Sequence, residues 1–347
     1  MNPIVLGFGA FFFALTGAGQ PLFIDSLTRN GFFNGLVTYM ANLIGMAVCY
    51  FMPAVDKSSK KPTTIPQRYL LGLAILDLTG QSLCNLGLTI ARSSQLFTIL
   101  YSLCTPMVAL MSRFFLKKKI SEGQYMGIFM IFLASTLQVV GGNTKTSGEG
   151  NIFLGSIVLI CGVVLHSSIY PISESILKNK EYHISPAHLS GWLGAYGLIF
   201  LTIYQCIFLY PKWDTLIVHE INTHHGSIML ICIIYIILII NNALHSYLFY
   251  NCLKELDAVV AGILKALQTV IGFSLSHILF CDECESDDGI DPDCITSIKV
   301  LIIILIIFGF LLYSLTSESK KKGEKKSKEY ETVENEILLT EQMQEEP

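Results

Sequence analysis

Charge is what this sequence has least of. Only 14% of its 347 residues are Asp, Glu, Lys or Arg, against roughly a quarter in an ordinary soluble domain. With 52% hydrophobic residues and a mean hydropathy of +0.55, it has too little polar surface to coat a soluble globule. It is also far too apolar to stay disordered. The formal net charge is −4 and no basic stripe occurs, so nucleic acid is not an expected partner. There is no G-x-x-x-x-G-K-[ST] phosphate loop, which argues against ATP-driven work. No nucleophile–base pair and no His/Cys cluster stands out, so the reading is of a non-enzyme with no cofactor and no metal site. No N-x-S/T glycosylation acceptor is present. Strand-like alternation is missing too, which excludes a β-barrel.

What the sequence does have is long apolar runs. A helix needs about 20 apolar residues to cross roughly 30 Å of hydrocarbon. Runs of that kind lie near 3–25, 32–54, 69–91, 94–116, 125–142, 152–175, 188–210, 227–253, 258–281 and 297–316. The expected fold class is therefore an all-α membrane protein with ten transmembrane helices. The first run opens with Met1-Asn2-Pro3 and lacks a basic n-region, so it reads as a retained span.

Lysine and arginine set the expected orientation. With a cytosolic N-terminus, the cytosolic loops hold Lys57, Lys60, Lys61 and Arg68, then Lys117 to Lys119, Lys178, Lys180 and Lys254. Six further lysines between Lys320 and Lys328 sit in the tail. The opposite loops hold little beyond Arg29, Arg92, Lys145, Lys212 and Lys299. Both termini are then cytosolic. The loop Cys281 to Cys294 (CDECESDDGIDPDC) falls on the other side, where a disulfide is permitted between Cys294 and either Cys281 or Cys284. Its spacing fits neither an EF-hand nor a zinc site.

A displacement of about 165 residues lays the third and fourth runs on the eighth and ninth. Asp77 then falls on Asn241 and Ser82 on Ser246. Five spans per half is an odd number, so the second half must insert upside down. The expected organisation is a first five-helix repeat at 1–150, a second at 151–316 and a cytosolic tail at 317–347. Inverted repeats of this kind build secondary transporters, with the solute site near the midplane.

Particular residues would carry such a function. Charge inside a span costs roughly 2.5–3.5 kcal/mol even on lenient insertion scales. Asp77 lies deep in the third run, and Lys265 lies at nearly the same depth in the ninth. The two are expected to face one cavity, where an anionic solute group competes with Asp77 for Lys265. Asn241, Asn242 and His245 in the eighth run are weaker candidates, as are Ser82 and Tyr101. Thr16, Gln20 and Asn42 read as helix-fastening residues, and His166 and His277 as structural histidines. Gln268 and Thr269 follow Lys265 one turn on.

Several stretches resemble the drug/metabolite transporter superfamily, and within it the solute-carrier 35 group. Leu76 to Ile128 resembles the third-to-fifth span signature of its F-type, chloroquine-resistance-transporter-like members. It shares the early acid Asp77, the Gly87-Leu88-Thr89 arrow, and the basic turn before Gln124-Tyr125-x-Gly127. Leu253 to Glu283 is similar to the Lys-x-x-x-Thr pattern of nucleotide-sugar and triose-phosphate transporters, here Lys265 to Thr269, although Ala266 stands where some carry a second basic residue. Glu174 to Pro186 looks like the end of the family's sixth span. The resemblance implies a ten-helix transporter of a small organic solute. It also keeps a Golgi or endoplasmic-reticulum nucleotide-sugar transporter as the alternative. A receptor or scaffold is a third, weaker reading.

The tail is polar and carries two patterns that adaptor proteins read. These are Tyr330-Glu-Thr-Val333, of the tyrosine type, and Glu334 to Leu338-Leu339, of the acidic dileucine type. They point to clathrin adaptors as partners and to an endosomal, lysosomal or vacuolar membrane. The bilayer, the solute and a second copy of the chain complete the partners considered.

Overall fold

The computed structural model describes residues 3–32, 34–54, 65–91, 100–101, 103–141, 152–281 and 295–316. Among these the regular structure is helical, with no strand. The helices are α1 (Pro3–Arg29), α2 (Gly35–Val48), α3 (Gln67–Ala91), α4 (Cys104–Leu116), α5 (Glu122–Gly141) and α6 (Ile152–Lys178). Next come α7 (Pro186–Tyr204), the short α8 (His219–Thr223), α9 (Ile228–Glu255) and α10 (Ala258–Phe280), and finally α11 (Ser297–Thr316). Eight of these segments are long and apolar enough to cross a membrane. The fourth expected run is represented by the shorter apolar α4, and α5 falls outside those eight. The sorting patterns at 330–339 lie outside the described residues, as do Cys284 and Cys294. Cys281 is disulfide-bonded.

Helix boundaries follow local chemistry. Asn34, Ser185, Ser227 and Asp257 cap α2, α7, α9 and α10, each accepting backbone N–H bonds from the first turn. α1 ends in a Schellman turn, with Gly31 at φ +77° and Phe32 N–H bonded to the Leu27 carbonyl at 3.0 Å. α8 ends the same way at His225, where Gly226 N–H reaches the Ile221 carbonyl at 2.8 Å. These two turns meet backbone to backbone. A Cβ on Gly31 would stand 2.7 Å from the Glu220 carbonyl, and one on Gly226 would strike the Asn30 carbonyl.

Two expected spans differ in detail. The second leaves α-geometry at Cys49 and finishes as a 3-10 turn through Ala54, with Pro53 inside it. The seventh runs on past Tyr204 as π and 3-10 segments through Val218 into α8. Pro211 explains part of this, because it brings no N–H to the ladder.

Neighbouring helices pack through glycine. A Cβ on Gly45 of α2 would lie 2.6 Å from the Ile239 carbonyl of α9, and one on Gly194 of α7 would lie 2.3 Å from Ala47 N. Along the α3–α6 seam, the corresponding distances are 2.9 Å for Gly80 (His166 N) and 2.7 Å for both Gly87 (Leu159 Cβ) and Gly162 (Cys84 N). Gly127 and Gly309 do the same for α5 and α11. Small residues suit helices in lipid, where dispersion contacts replace the missing hydrophobic drive between apolar surfaces. The interior is built around Leu43, Leu70, Leu159, Ile169, Leu189, Leu193 and Leu253, all essentially inaccessible. The outer face is also apolar, with Phe114, Phe153, Ile236, Ile240, Ile304 and Leu315 exposed. An apolar coat over an apolar core with internally bonded helices is what hydrocarbon demands.

Candidate functional site

Five polar side chains, from α3, α6, α10 and the stretch just before α4, meet inside the bundle. Asp77 on α3 is only 8% exposed, and its Oδ1 lies 3.4 Å from Nδ1 of His166 on α6. The other face of that ring meets α10, with His166 Nε2 standing 3.3 Å from Lys265 Nζ. Lys265 also donates to the Tyr101 hydroxyl at 3.0 Å. The Gln81 amide, one turn beyond Asp77, lies 3.1 Å from His166 Nδ1 and 3.3 Å from that same hydroxyl. Asp77 and Lys265 are thus brought into one cluster, joined through an imidazole rather than in direct contact.

The imidazole is chemically suited to that position. A neutral ring has one N–H and one lone pair. With the proton on Nδ1, it donates to the Asp77 carboxylate and accepts from the Lys265 ammonium, and the Gln81 amide beside Nδ1 then turns its oxygen toward the ring. The aromatic rings of Tyr101 and Tyr170 flank the ammonium, at 4.4 and 5.8 Å from ring centroid to Nζ. Such faces stabilise a cation where water is scarce. The glycine seam lets α3 and α6 approach closely enough for the short Asp77 side chain to reach the ring. His166, Tyr101 and Lys265 remain half-buried, so the cluster is not sealed.

A second polar layer joins α1, α2, α9 and α10. Asn241 donates to the Thr16 carbonyl at 2.9 Å, and the Thr16 hydroxyl lies 3.1 Å from His245 Nδ1. Gln20 donates to Asn242 Oδ1 at 2.6 Å, and Asn242 in turn donates to Asn42 Oδ1. Gln268 donates to the Phe13 carbonyl at 3.2 Å and fills the space over Gly17. His245 stacks on Phe13, 4.8 Å between centroids. Asn241, Asn242, His245 and Gln268 therefore fasten helices together in this arrangement. Ser82 and Thr269 are half-buried on α3 and α10 and, among the described residues, join neither network.

Two residues escaped sequence reasoning. His166 reads alone as a structural histidine, yet it bridges the two charges. Glu174, near the end of α6, is 3% exposed and binds Lys118 and Lys178. Its signal in the sequence is spacing. His166, Tyr170, Glu174 and Lys178 recur every fourth residue along one face of α6.

No protein-family model and no curated protein matches the chain. Among solved structures, it is similar to one described only as the crystal structure of a protein, with a TM-score of 0.63 over 91% of this chain and 98% of that one. The two share 14% sequence identity, so the likeness concerns fold alone.

Proposed function

We propose that this chain is a secondary-active transporter of a small organic solute, working by alternating access in an endomembrane. The observation that carries this reading is the Asp77–His166–Lys265 cluster, a chain of ionisable groups deep between α3, α6 and α10. Ionisable residues at such depth mark ion and substrate pathways, because lipid offers no other way to keep them. In this reading Asp77 and His166 hold the coupling proton, and Lys265 receives an anionic group of the solute.

The ten-span, five-plus-five inverted organisation belongs to the same proposal, with both termini cytosolic. Internal correspondence supports it. The displacement that takes Asp77 onto Asn241 also takes Gln81 onto His245 and Tyr101 onto Lys265. A second displacement takes Pro21 of α1 onto Pro171 of α6, and with it Thr16 onto His166. The contacts follow the residues. Asp77 and Gln81 meet His166 just as Asn241 and His245 meet Thr16, and Tyr101 meets Lys265 across the axis. Asp77 and His166 are titratable, whereas their counterparts Asn241 and Thr16 are not.

The experiment is ligand-induced thermal stabilisation of the purified protein at two pH values, since a ligand bound to the folded state raises apparent stability by mass action. The panel sets nucleotide sugars and nucleoside monophosphates against amino acids, short peptides and amphiphilic cations. A pH-dependent shift with the second group, lost in Asp77→Asn, is the expected result. A nucleotide shift lost in Lys265→Ala would favour a Golgi nucleotide-sugar antiporter instead. Stabilisation by nothing in the panel, at either pH, would count against transport and favour a receptor or scaffold.

A further inference from the structure

A second charged cluster lies at one end of the bundle, two turns from His166 along the same face of α6. Glu174 Oε1 and Oε2 each accept from Lys118 Nζ at 2.8 Å, and Oε1 also accepts from Lys178 Nζ at 2.8 Å. Oε2 accepts the Ala258 backbone N–H at 2.7 Å. Lys178 reaches on to the Leu256 carbonyl at 2.9 Å, and Lys118 lies 3.8 Å from Asp257. Three separate stretches of chain therefore converge on one buried carboxylate. They are the α4–α5 link, the end of α6 and the α9–α10 link. Lys118 follows directly on Lys117, whose φ of +50° turns the chain sharply out of α4.

The displacement that carries Pro21 onto Pro171 places Ile24 opposite Glu174 and Thr28 opposite Lys178, so the correspondence does not carry this carboxylate and its resident lysine over to α1.

We infer that Glu174 is an ionic latch that holds this end of the bundle shut and is broken and remade in each cycle. The inference rests on the transport reading above. The division of labour between its lysines explains how it can open. Lys178 stands four residues from Glu174 on the same helix and travels with it, whereas Lys118 and the Ala258 N–H belong to other elements and leave. Removing every partner from a buried carboxylate is strongly unfavourable. A resident lysine keeps the charge compensated while the travelling one departs, so opening costs far less than dismantling the whole cluster. The latch lies about 12 Å from His166, at 1.5 Å per residue. Solute or proton occupancy at His166 is therefore read at Glu174 along one helix, across Pro171, where the backbone ladder lacks an N–H.

Hydrogen exchange measured by mass spectrometry on the full-length protein in nanodiscs tests this. Glu174→Gln keeps the side-chain shape and an acceptor for Ala258 N–H but loses the attraction for Lys118. Exchange in 117–122 and 254–262 is expected to rise roughly tenfold, while exchange in 27–36 and 219–230 falls, because one end closes as the other opens. Lys118→Met should give the same see-saw. It also serves as the test if Glu174→Gln fails to fold. Faster exchange at the Glu174 end alone, or throughout, would show a static staple and overturn the latch, as would no change. Ligand stabilisation on the same preparations separates the two ideas. A solute that stabilises wild type and Glu174→Gln alike, without a see-saw, keeps transport and removes the latch. A see-saw with no stabilising solute supports the latch and counts against transport.

Discussion

If Asp77 and Lys265 belong to one electrostatic unit, neutralising them must be non-additive. Each lies within 3.4 Å of an imidazole nitrogen, on opposite sides of the His166 ring, so the carboxylate and the ammonium are no more than about 9 Å apart. At an effective dielectric of about 20, two unit charges at that separation attract by about 2 kcal/mol. Asp77→Asn alone removes that attraction and leaves Lys265 beside a neutral ring. Lys265→Gln alone leaves the carboxylate without its distant cation. The double variant loses the attraction only once. Unfolding free energies of the four proteins, measured by titration with a denaturing detergent in mixed micelles, should therefore show a coupling of about 2 kcal/mol. Salt should change it little, since the pair lies inside the bundle where screening is weak. Effects that add to within about 0.5 kcal/mol would refute the linkage and reduce the two charges to independent structural features.

Two further outcomes follow from the packing and from the tail. Gly72 has open space around the position of a Cβ, so Gly72→Ala should stabilise α3 by about 1 kcal/mol through helix propensity. In Gly45→Ala the same gain meets the Ile239 carbonyl at 2.6 Å and is overturned by overpacking of roughly 1–3 kcal/mol or more, so thermal melting should separate the two variants in opposite directions. Deleting residues 330–339 should move the protein from endosomal or lysosomal membranes to the cell surface, as seen by surface labelling, and an unchanged distribution would remove the sorting role of Tyr330 and Leu338-Leu339.

Much of the helical layout was legible because a span writes itself into the sequence as an unbroken apolar run. Asp77 and Lys265 were legible for the converse reason, being charges where charge is expensive. The rest depended on contacts between distant residues. His166 has nothing in its own neighbourhood to distinguish it from a structural histidine. Its role comes from Asp77 and Lys265, which lie far away in the chain on either side. The correspondence of Thr16 with His166 could have exposed it, but only by combining two different displacements. Glu174 stands near a helix end, where a carboxylate is cheap, so its position alone does not single it out. Its burial arises because the α4–α5 and α9–α10 links fold over it. The π segments after Tyr204 left a trace only in Pro211, since their backbone is otherwise held by α-like torsions.

The glycine contacts between α3 and α6 bear on where the bundle can come apart. Backbones in close contact at Gly80, Gly87 and Gly162 interlock over the C-terminal half of α3 and the N-terminal half of α6, and sliding there would drive main chain into main chain. These two helices are in effect a single stave. Asp77 and His166 ride on that stave together, whereas Lys265 belongs to a different plank, α10, held by longer side-chain contacts such as Val108 against Gly262. If the bundle flexes as proposed, the joint expected to part is the one between imidazole and ammonium, with the carboxylate keeping its ring and the lysine letting go.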